Sequence, residues 1–241
     1  MLLNDKNIIF DENAVYEVFS DGAKEPRTID PEEIVNSGAF FSKKNVITFF
    51  TESRKTIEYR DGKSDFIDTE DLSWHNALDI ETFNRNIYLL DPDNNEIWKY
   101  ERGGSKYSKA KDYNVDANIK GAIDMTLDGS IWVLKRNGEV VQLLRGKKQP
   151  FELKNHPTER IANVTKIFTP FSTEFTRADT RDLFILEPEK KRVLVYKKED
   201  GKFLMQFLFV DLDEKMVEIK TSLDQTKLYL LTETKLYSLE I

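Results

Sequence analysis

The sequence contains no cysteine, and only two of its 241 residues are histidine. Without cysteine the chain cannot form a disulfide, a thiolate metal site or a cysteine-based active site. The two histidines, His75 and His156, lie far apart in sequence with no partner pattern around them. Neither a zinc site nor a catalytic triad is therefore indicated.

Long hydrophobic runs are also missing. No segment approaches the ~20 apolar residues that a membrane-spanning helix needs, and residues 1–6 lack the basic and apolar regions of a secretory signal. We therefore expect a water-soluble domain that does not insert into a membrane. The sequence leaves the compartment open, because such a domain is either cytoplasmic or the exported part of a longer protein.

Basic residues are in the minority, with 36 Lys and Arg against 43 Asp and Glu, which gives a formal net charge of −7. A general nucleic-acid binder normally carries the opposite sign, because its affinity for phosphate comes largely from displaced counterions. The composition therefore argues against nucleic acid as the partner.

The chain does contain a repeat. A short apolar strand occurs six times, and successive copies begin 39, 40, 44, 52 and 45 positions apart. A period of about 40–50 residues made only of strands is typical of a β-propeller with one four-stranded blade per repeat. We predict an all-β fold, a six-bladed β-propeller of four-stranded antiparallel blades that forms one domain over residues 1–241. The six strands are Ile8–Phe10, Ile47–Phe50, Ile87–Leu90, Ile131–Leu134, Leu183–Leu186 and Leu228–Leu231.

Four strands can be predicted within the clearest repeats. Turn signals such as Asp128-Gly129 and Asn137-Gly138 separate them, since both dipeptides favour tight hairpins. In the third repeat the predicted strands are residues 77–83, 86–91, 96–101 and 106–113. In the fourth they are residues 121–127, 130–135, 139–144 and 150–154.

The ends of the chain and the fifth repeat depart from this pattern. Only residues 1–4 stand where an innermost strand of the first blade is expected, and the chain stops at Ile241 after the third strand of the last blade. We expect an incomplete, three-stranded sixth blade with an exposed edge at residues 235–240, and a chain that is part of a longer protein. The extra length of the fifth repeat, Pro170–Arg181, is expected to form a surface loop.

Two segments resemble known propeller repeats. Asn86–Tyr100, with the sequence NIYLLDPDNNEIWKY, resembles an NHL-type repeat, and Leu127–Val133, with the sequence LDGSIWV, is similar to hairpins of bacterial sensor-type and lyase-type propellers. The resemblance implies membership of the NHL-like and gluconolactonase-like six-bladed propellers. It does not imply one function, because propellers include enzymes, receptors and scaffolds.

The gluconolactonase-like resemblance implies one specific alternative, a divalent cation such as calcium held in the central channel by acidic residues of the innermost strands. The candidate metal ligands here are Asp79, Glu81 and Asp124. Asp79 and Asp124 occupy equivalent places in their repeats, where two other repeats carry Lys166 and Glu218. A solvated polar lining of the channel would also contain one cation among several carboxylates. A metal site and a solvated lining therefore both remain possible interpretations.

The candidate ligand-binding residues are Trp74, His75 and Asn76 in the connection that enters the third blade, together with Asp79 and Asp124. The alternative for Trp74 is packing between blades. The leading hypothesis is a non-catalytic sensor or interaction domain of a larger bacterial-type protein, without a cofactor, that binds a protein, peptide or glycan. The alternatives are a divalent-metal-dependent lactonase or hydrolase, and a purely structural spacer.

Overall fold

The computed structural model describes residues 8–19, 22–23, 25–41, 45–157, 161–170, 182–222 and 225–241. These residues form strands β1–β25 and a single 3₁₀ turn, Pro188–Lys190, with no α-helix among them. Six sheets follow one another along the chain, five of them four-stranded, and they are the blades of a six-bladed β-propeller. The predicted fold is confirmed.

The chain divides into two compact units, Met1–Tyr113 and Asn114–Ile241. The first unit contains blades 1 to 3. Blade 1 consists of β1 (Ile8–Phe10), β2 (Ala14–Phe19), β3 (Gly22–Ala23) and β4 (Arg27–Thr28). Blade 2 consists of β5 (Val35–Phe41), β6 (Val46–Thr51), β7 (Thr56–Arg60) and β8 (Lys63–Ile67). Blade 3 consists of β9 (Asp79–Phe83), β10 (Asn86–Asp91), β11 (Glu96–Tyr100) and β14 (Lys111–Asp112), with a separate hairpin of β12 (Arg102–Gly103) and β13 (Lys106–Tyr107).

The second unit contains blades 4 to 6. Blade 4 consists of β15 (Ala122–Leu127), β16 (Ile131–Lys135), β17 (Val140–Leu144) and β18 (Lys147–Lys148). Blade 5 consists of β19 (Lys166–Phe168), β20 (Asp182–Glu187), β21 (Arg192–Lys197) and β22 (Phe203–Leu208). Blade 6 consists of β23 (Met216–Thr221), β24 (Lys227–Thr232) and β25 (Leu236–Glu240).

In blades 2 to 6 the second strand is the repeated apolar strand of the sequence, and in blade 1 that strand is β1. Strands such as β10 and β16 are buried along almost their whole length, because both faces of each blade are covered. Each of their aliphatic side chains contributes on the order of 1.5–3 kcal/mol by burial. Six aliphatic residues of these strands have no exposed surface, and they are Ile87, Leu89, Ile131, Val133, Ile185 and Leu230.

Two predicted outer strands are wrong. In blade 4 the fourth strand is Lys147–Lys148, not residues 150–154, because Arg145 and Gly146 both adopt positive φ (52° and 82°) and return the chain at once against β17. In blade 3 the predicted strand at 106–113 is two pieces. Its first piece pairs with β12 in a separate hairpin, and only its second piece pairs with β11.

The expectations for the chain ends are met in part. Blade 6 has three strands among the described residues, as predicted, with β25 paired to β24. The predicted strand at residues 1–4 and residues 171–181 of the long loop lie outside the described part of the chain. No helix in the described part is long and apolar enough to cross a bilayer.

Candidate binding site

The innermost strands of five blades begin with the same irregularity. In β5, β15 and β23 the pairing register shifts by one residue just before a polar side chain. Just before β9, the Leu78 N–H donates at 2.8 Å to the carbonyl of Leu90, which is the residue paired with Asp79. Just before β19, the Thr165 N–H donates at 3.0 Å to the carbonyl of Leu186, which is the residue paired with Lys166. A β-bulge of this kind re-aims the side chain that follows it. The residues so placed, which we call the bulge residues, are Ser37, Asp79, Asp124, Lys166 and Glu218.

In the second unit the bulge residues connect three neighbouring blades. The buried Asp124 accepts a hydrogen bond from the Ile167 backbone N–H at 2.7 Å and from Lys166 Nζ at 2.9 Å. The same ammonium lies 3.7 Å from Glu218 Oε2. Burial raises the pKa of Glu218, but the ammonium groups of Lys166 and Lys220 outweigh it and hold that pKa below its usual value. The result is an alternating chain of carboxylate, ammonium and carboxylate.

The first unit contains a smaller version of this connection. Ser37 Oγ donates to Asp79 Oδ1 at 2.6 Å and accepts the N–H of Ile80 at 3.2 Å. The Ile80 N–H therefore bonds to the bulge residue of the preceding blade, as the Ile167 N–H bonds to Asp124. The sequence predicted the equivalence of Asp79 and Asp124, but it did not single out Ser37, whose hydroxyl carries no charge signal.

These contacts bear on the metal alternative. The described residues contain no group of three or more acidic or histidine side chains placed to hold a metal ion. A divalent cation such as calcium takes six or more oxygen ligands. Both oxygens of Asp124 are engaged by N–H donors, and a lysine ammonium lies where a cation would have to bind it. Asp79 is bound by Ser37, and Glu81 lies two residues further along β9. A cation at Asp124 would have to displace Lys166 or the Ile167 N–H, and a cation at Asp79 Oδ1 would compete with Ser37.

Trp74 lies in the core of the first unit. Its side chain is 6% exposed and packs on Tyr100 and Tyr107, with ring centroids 4.6 and 5.5 Å apart. Burial raises the pKa of Tyr100 to about 12, so its hydroxyl is protonated at neutral pH. This position agrees with the packing alternative for Trp74.

The next two residues are closer to solvent. The His75 ring stacks on Trp98 at 3.8 Å with an interplanar angle of 13°, and its backbone N–H donates to the Tyr100 hydroxyl at 3.1 Å. His75 is half-buried and Asn76 is exposed. The stacked pair is a flat aromatic surface beside an exposed amide.

A polar pocket that sequence reasoning missed lies within the first unit, between blades 2 and 3. It has a volume of about 180 Å³ and contains three arginines, one from β7, one from the β9–β10 turn and one from β12. We call it the arginine pocket, defined by Arg60, Arg85 and Arg102. These residues lie 25 and 17 positions apart in sequence with no shared motif, so only the strand pairing of two blades brings them together.

One wall of the arginine pocket is fixed by a partly buried ion pair. Arg102 Nε lies 2.9 Å from Glu58 Oε1, and Arg102 Nη2 donates to Glu58 Oε2 at 3.3 Å. Tyr107 donates its hydroxyl to Glu58 at 3.2 Å, and the guanidinium lies 5.0 Å from the Tyr107 ring centroid. Burial, with the negative charge of Glu58, raises the pKa of Tyr107. Trp74 packs against the Tyr107 ring of this wall.

The other two arginines are not used in this way. Arg60 and Arg85 are exposed, and their side chains make no hydrogen bond or ion pair within the described part of the chain. Arg85 is placed by a two-residue hairpin turn in which Asn84 and Arg85 both have positive φ, 49° and 69°. Two guanidinium groups therefore remain available to a ligand.

A larger cavity of about 430 Å³ lies between blades 1 and 2 of the same unit. Ile8, Val15 and Ile47 give it an apolar wall, and its charged residues nearly balance. The acidic residues are Glu17, Glu25 and Asp61, and the basic residues are Arg27 and Arg60. The larger cavity therefore lacks the net positive charge of the arginine pocket.

Comparison with known proteins gives the class but no family. No protein-family model matches the chain, and no curated protein matches it in sequence. Solved β-propellers do match its fold. Hsv2 of Kluyveromyces marxianus is 14% identical with a TM-score of 0.57 over 99% of this chain and 74% of that one.

Two further matches are complexes. YCF48 bound to D1 peptide is 10% identical with a TM-score of 0.58, covering 100% of this chain and 80% of that one. BBS1N in complex with ARL6DN is 11% identical with a TM-score of 0.58, covering 96% and 72%. At such identities these similarities show the fold alone, which places the chain among the β-propeller proteins.

Proposed function

We propose that this propeller is a non-catalytic binding domain whose ligand is a protein or a peptide. The observation that carries the proposal is the arginine pocket, a concave polar site with two unpaired guanidinium groups beside a fixed wall. The site contains hydrogen-bond donors for recognition. Its one hydroxyl beside a carboxylate, Tyr107 at Glu58, is only 3% exposed, and Arg102 already neutralises that carboxylate, which disfavours a role as nucleophile and base.

The state of the innermost-strand carboxylates supports the same function. A metal-dependent lactonase needs carboxylate oxygens free to bind a cation, but those of Asp124 are bound to Lys166 and Ile167. Their role in connecting blades accounts for their burial without a catalytic function. The lactonase alternative therefore has less support than binding.

Structural neighbours add a consistent observation. YCF48 is seen bound to D1 peptide and BBS1N in complex with ARL6DN, so propellers of similar fold occur in complexes with a peptide and with a protein. Fold similarity does not transfer a particular ligand. It supports the choice of a protein or peptide over a glycan as the partner.

The narrower proposals rest on the sequence. They are that residues 1–241 form one domain, that the repeats are NHL-like, and that the domain is a sensor within a larger bacterial-type protein. Their support is the six-fold repeat, the hairpin motifs Asn86–Tyr100 and Leu127–Val133, and a composition low in glycine, proline and cysteine. The full-length gene tests the last proposal, because an adjoining kinase, phosphatase or membrane segment would favour sensing.

The experiment for the proposed function combines selection and assay. A random peptide library displayed on phage is selected against the immobilised protein, and enriched peptides are synthesised and titrated in solution. We expect saturable binding that is lost on heat denaturation, and no lactone hydrolysis with calcium or manganese. Metal-dependent hydrolysis that disappears in Asp124→Ala would instead establish the enzyme alternative.

A further inference from the structure

We propose that the arginine pocket binds carboxylate side chains of an acidic segment of the partner, with Arg60 and Arg85 as the contacting residues. This inference rests on the proposed function and specifies the chemistry of its ligand. Three features of the pocket support it: its charge, its fixed wall and its size.

The charge of the pocket is opposite to that of the chain. Three guanidinium groups face a single carboxylate, which leaves a local excess of two positive charges in a protein with a formal net charge of −7. Guanidinium groups bind carboxylates through paired N–H donors, and such charge-assisted hydrogen bonds are about twice as strong as neutral ones. An acidic ligand is the complement of this pocket.

The ion pair in the fixed wall gives Arg102 a different role from Arg60 and Arg85. The Arg102 and Glu58 side chains are only 13% and 17% exposed and already neutralise each other. Tyr107, which is 3% exposed, holds the carboxylate from a second direction. Arg102 is therefore a positioning residue that shapes the pocket, whereas Arg60 and Arg85 have donors left for a ligand.

The size of the cavity favours a side chain over a free small molecule. Sites for drug-sized ligands and cofactors are usually about 300–1,000 Å³, and this pocket has about 180 Å³. At roughly 30 Å³ per water, its volume corresponds to about six water molecules. That is enough for one or two carboxylate side chains, and Val46, Thr48 and Thr82 offer aliphatic surface for their methylene groups.

The same charge distribution argues against nucleic acids as the ligand. Nucleic acids are bound by extended basic surfaces that contact many phosphates in succession. The positive excess here is confined to one small pocket in an acidic protein. We therefore assign the acidic segment to a protein or peptide, and RNA and anionic vesicles serve as competitors in the test.

The test is fluorescence anisotropy with a labelled peptide in which glutamate alternates with serine. Its control peptide has glutamine in place of every glutamate. The protein variants are Arg60→Gln, Arg85→Gln and their combination, and the matched control is Arg136→Gln, an exposed arginine outside the pocket with the same charge change. Thermal melting of each variant checks the fold.

We expect the glutamate peptide to bind and the glutamine peptide not to bind. The double variant should lose roughly tenfold or more in affinity, and Arg136→Gln less than about twofold, because its charge acts only through screened solvent. Equal losses in the double variant and in Arg136→Gln would overturn the inference. So would RNA or anionic vesicles that bind through Arg60 and Arg85 more tightly than the peptide.

Failure of the inference and failure of the proposed function give different results. If library peptides bind the protein but the double variant binds them unchanged, the pocket is not their site and the inference alone is wrong. If no peptide of any composition binds, the proposed function is wrong as well. Weaker binding of library peptides to the double variant supports both.

Discussion

The bulge residues fill one geometric position with different chemistry. At this position the side chain leaves the strand at an angle that lets it reach the innermost strand of the adjacent blade. Ser37 and Asp124 both accept a backbone N–H there, at 3.2 and 2.7 Å. Because an unpaired buried N–H costs about 1–3 kcal/mol, any side chain at this position needs an acceptor atom or a substitute for one.

This requirement predicts the effect of removing Asp124. In Asp124→Ala the buried Ile167 N–H loses its acceptor, and the Lys166 ammonium loses the carboxylate that lies 2.9 Å away. We expect a loss of about 2–3 kcal/mol in the free energy of unfolding, measured by urea denaturation. The control Asp93→Ala, at an exposed turn position, should stay within about 0.5 kcal/mol of wild type. A loss at Asp124 no larger than at Asp93 would show that the connection contributes nothing.

Gly201 permits a second prediction at the residue scale. It has φ +72°, and a Cβ there would lie 1.9 Å from the Glu152 carbonyl oxygen. Gly121 has a similar φ of +77° with nothing within 4 Å of a Cβ. Gly121→Ala measures the backbone strain alone, about 1–2 kcal/mol. Gly201→Ala adds the collision and should cost at least about 2 kcal/mol more in a thermal or urea melt. Equal costs would mean that the chain around Glu152 moves aside freely.

At the scale of elements, the loops that enter blades 2 and 6 are built alike. Each carries a glutamate two residues before the innermost strand, Glu33 before β5 and Glu214 before β23. Glu33 is bound by Ser53 and Lys55 in the turn between β6 and β7. Glu214 is bound by the corresponding turn between β24 and β25, with Lys235 Nζ at 2.8 Å. One side chain therefore ties an entering loop to a hairpin.

The tie at Glu214 gives stability a pH dependence. The hydrogen bond from Lys235, aided by Thr232 and Thr234, lowers the pKa of Glu214 from 4.5 to about 2. Since the folded pKa is below the unfolded value, the contribution is complete above about pH 4.5 and is lost as the pH falls toward 2. The urea midpoint of Glu214→Gln should therefore fall less than that of wild type across this range. Glu233→Gln, at an exposed neighbour, should follow wild type, and parallel curves for all three proteins would contradict the assignment.

The last strand permits a prediction for hydrogen exchange. Thr232 N–H bonds to Lys235 O and Ile241 N–H to Thr226 O, both at 2.8 Å, and the bonds of an antiparallel pair alternate between them. The amides of Tyr237 and Leu239 thus face β24, and that of Ser238 faces away. We expect strong protection at Tyr237 and Leu239 and fast exchange at Ser238. Slow exchange at Ser238 in the monomer would show that another strand covers this edge.

At the scale of the whole molecule, stability should not respond to divalent metals. A ligand raises the melting temperature only if it binds the folded state more tightly than the unfolded one, and the carboxylates of Asp79 and Asp124 are engaged by protein donors. Calcium, manganese and zinc should each leave the thermal midpoint unchanged. A rise that disappears in Asp79→Ala or Asp124→Ala would promote the lactonase alternative.

The repeat made the fold predictable, but it did not reveal the site. Residues such as Ile87 and Leu230 occupy the first and third positions of the repeated apolar strand, so their burial follows from the pattern alone. Short outer strands follow local turn geometry, and for this reason Lys147–Lys148 was missed. The arginine pocket depends on which residues two blades place opposite each other, and no sequence interval between Arg60, Arg85 and Arg102 encodes that.

The alternating charges of Asp124, Lys166 and Glu218 also favour the native order of blades 4, 5 and 6 over other orders. The lysine of blade 5 needs an acid on the blade before it and on the blade after it. An exchange of blades 4 and 5 would set Asp124 beside Glu218, like charges that repel. A duplicated blade 5 would place two lysines side by side, whereas a duplicated pair of blades 4 and 5 would preserve the alternation. The blades of this unit therefore share one strand arrangement but are not interchangeable. Blade insertions in this unit should be tolerated only in pairs.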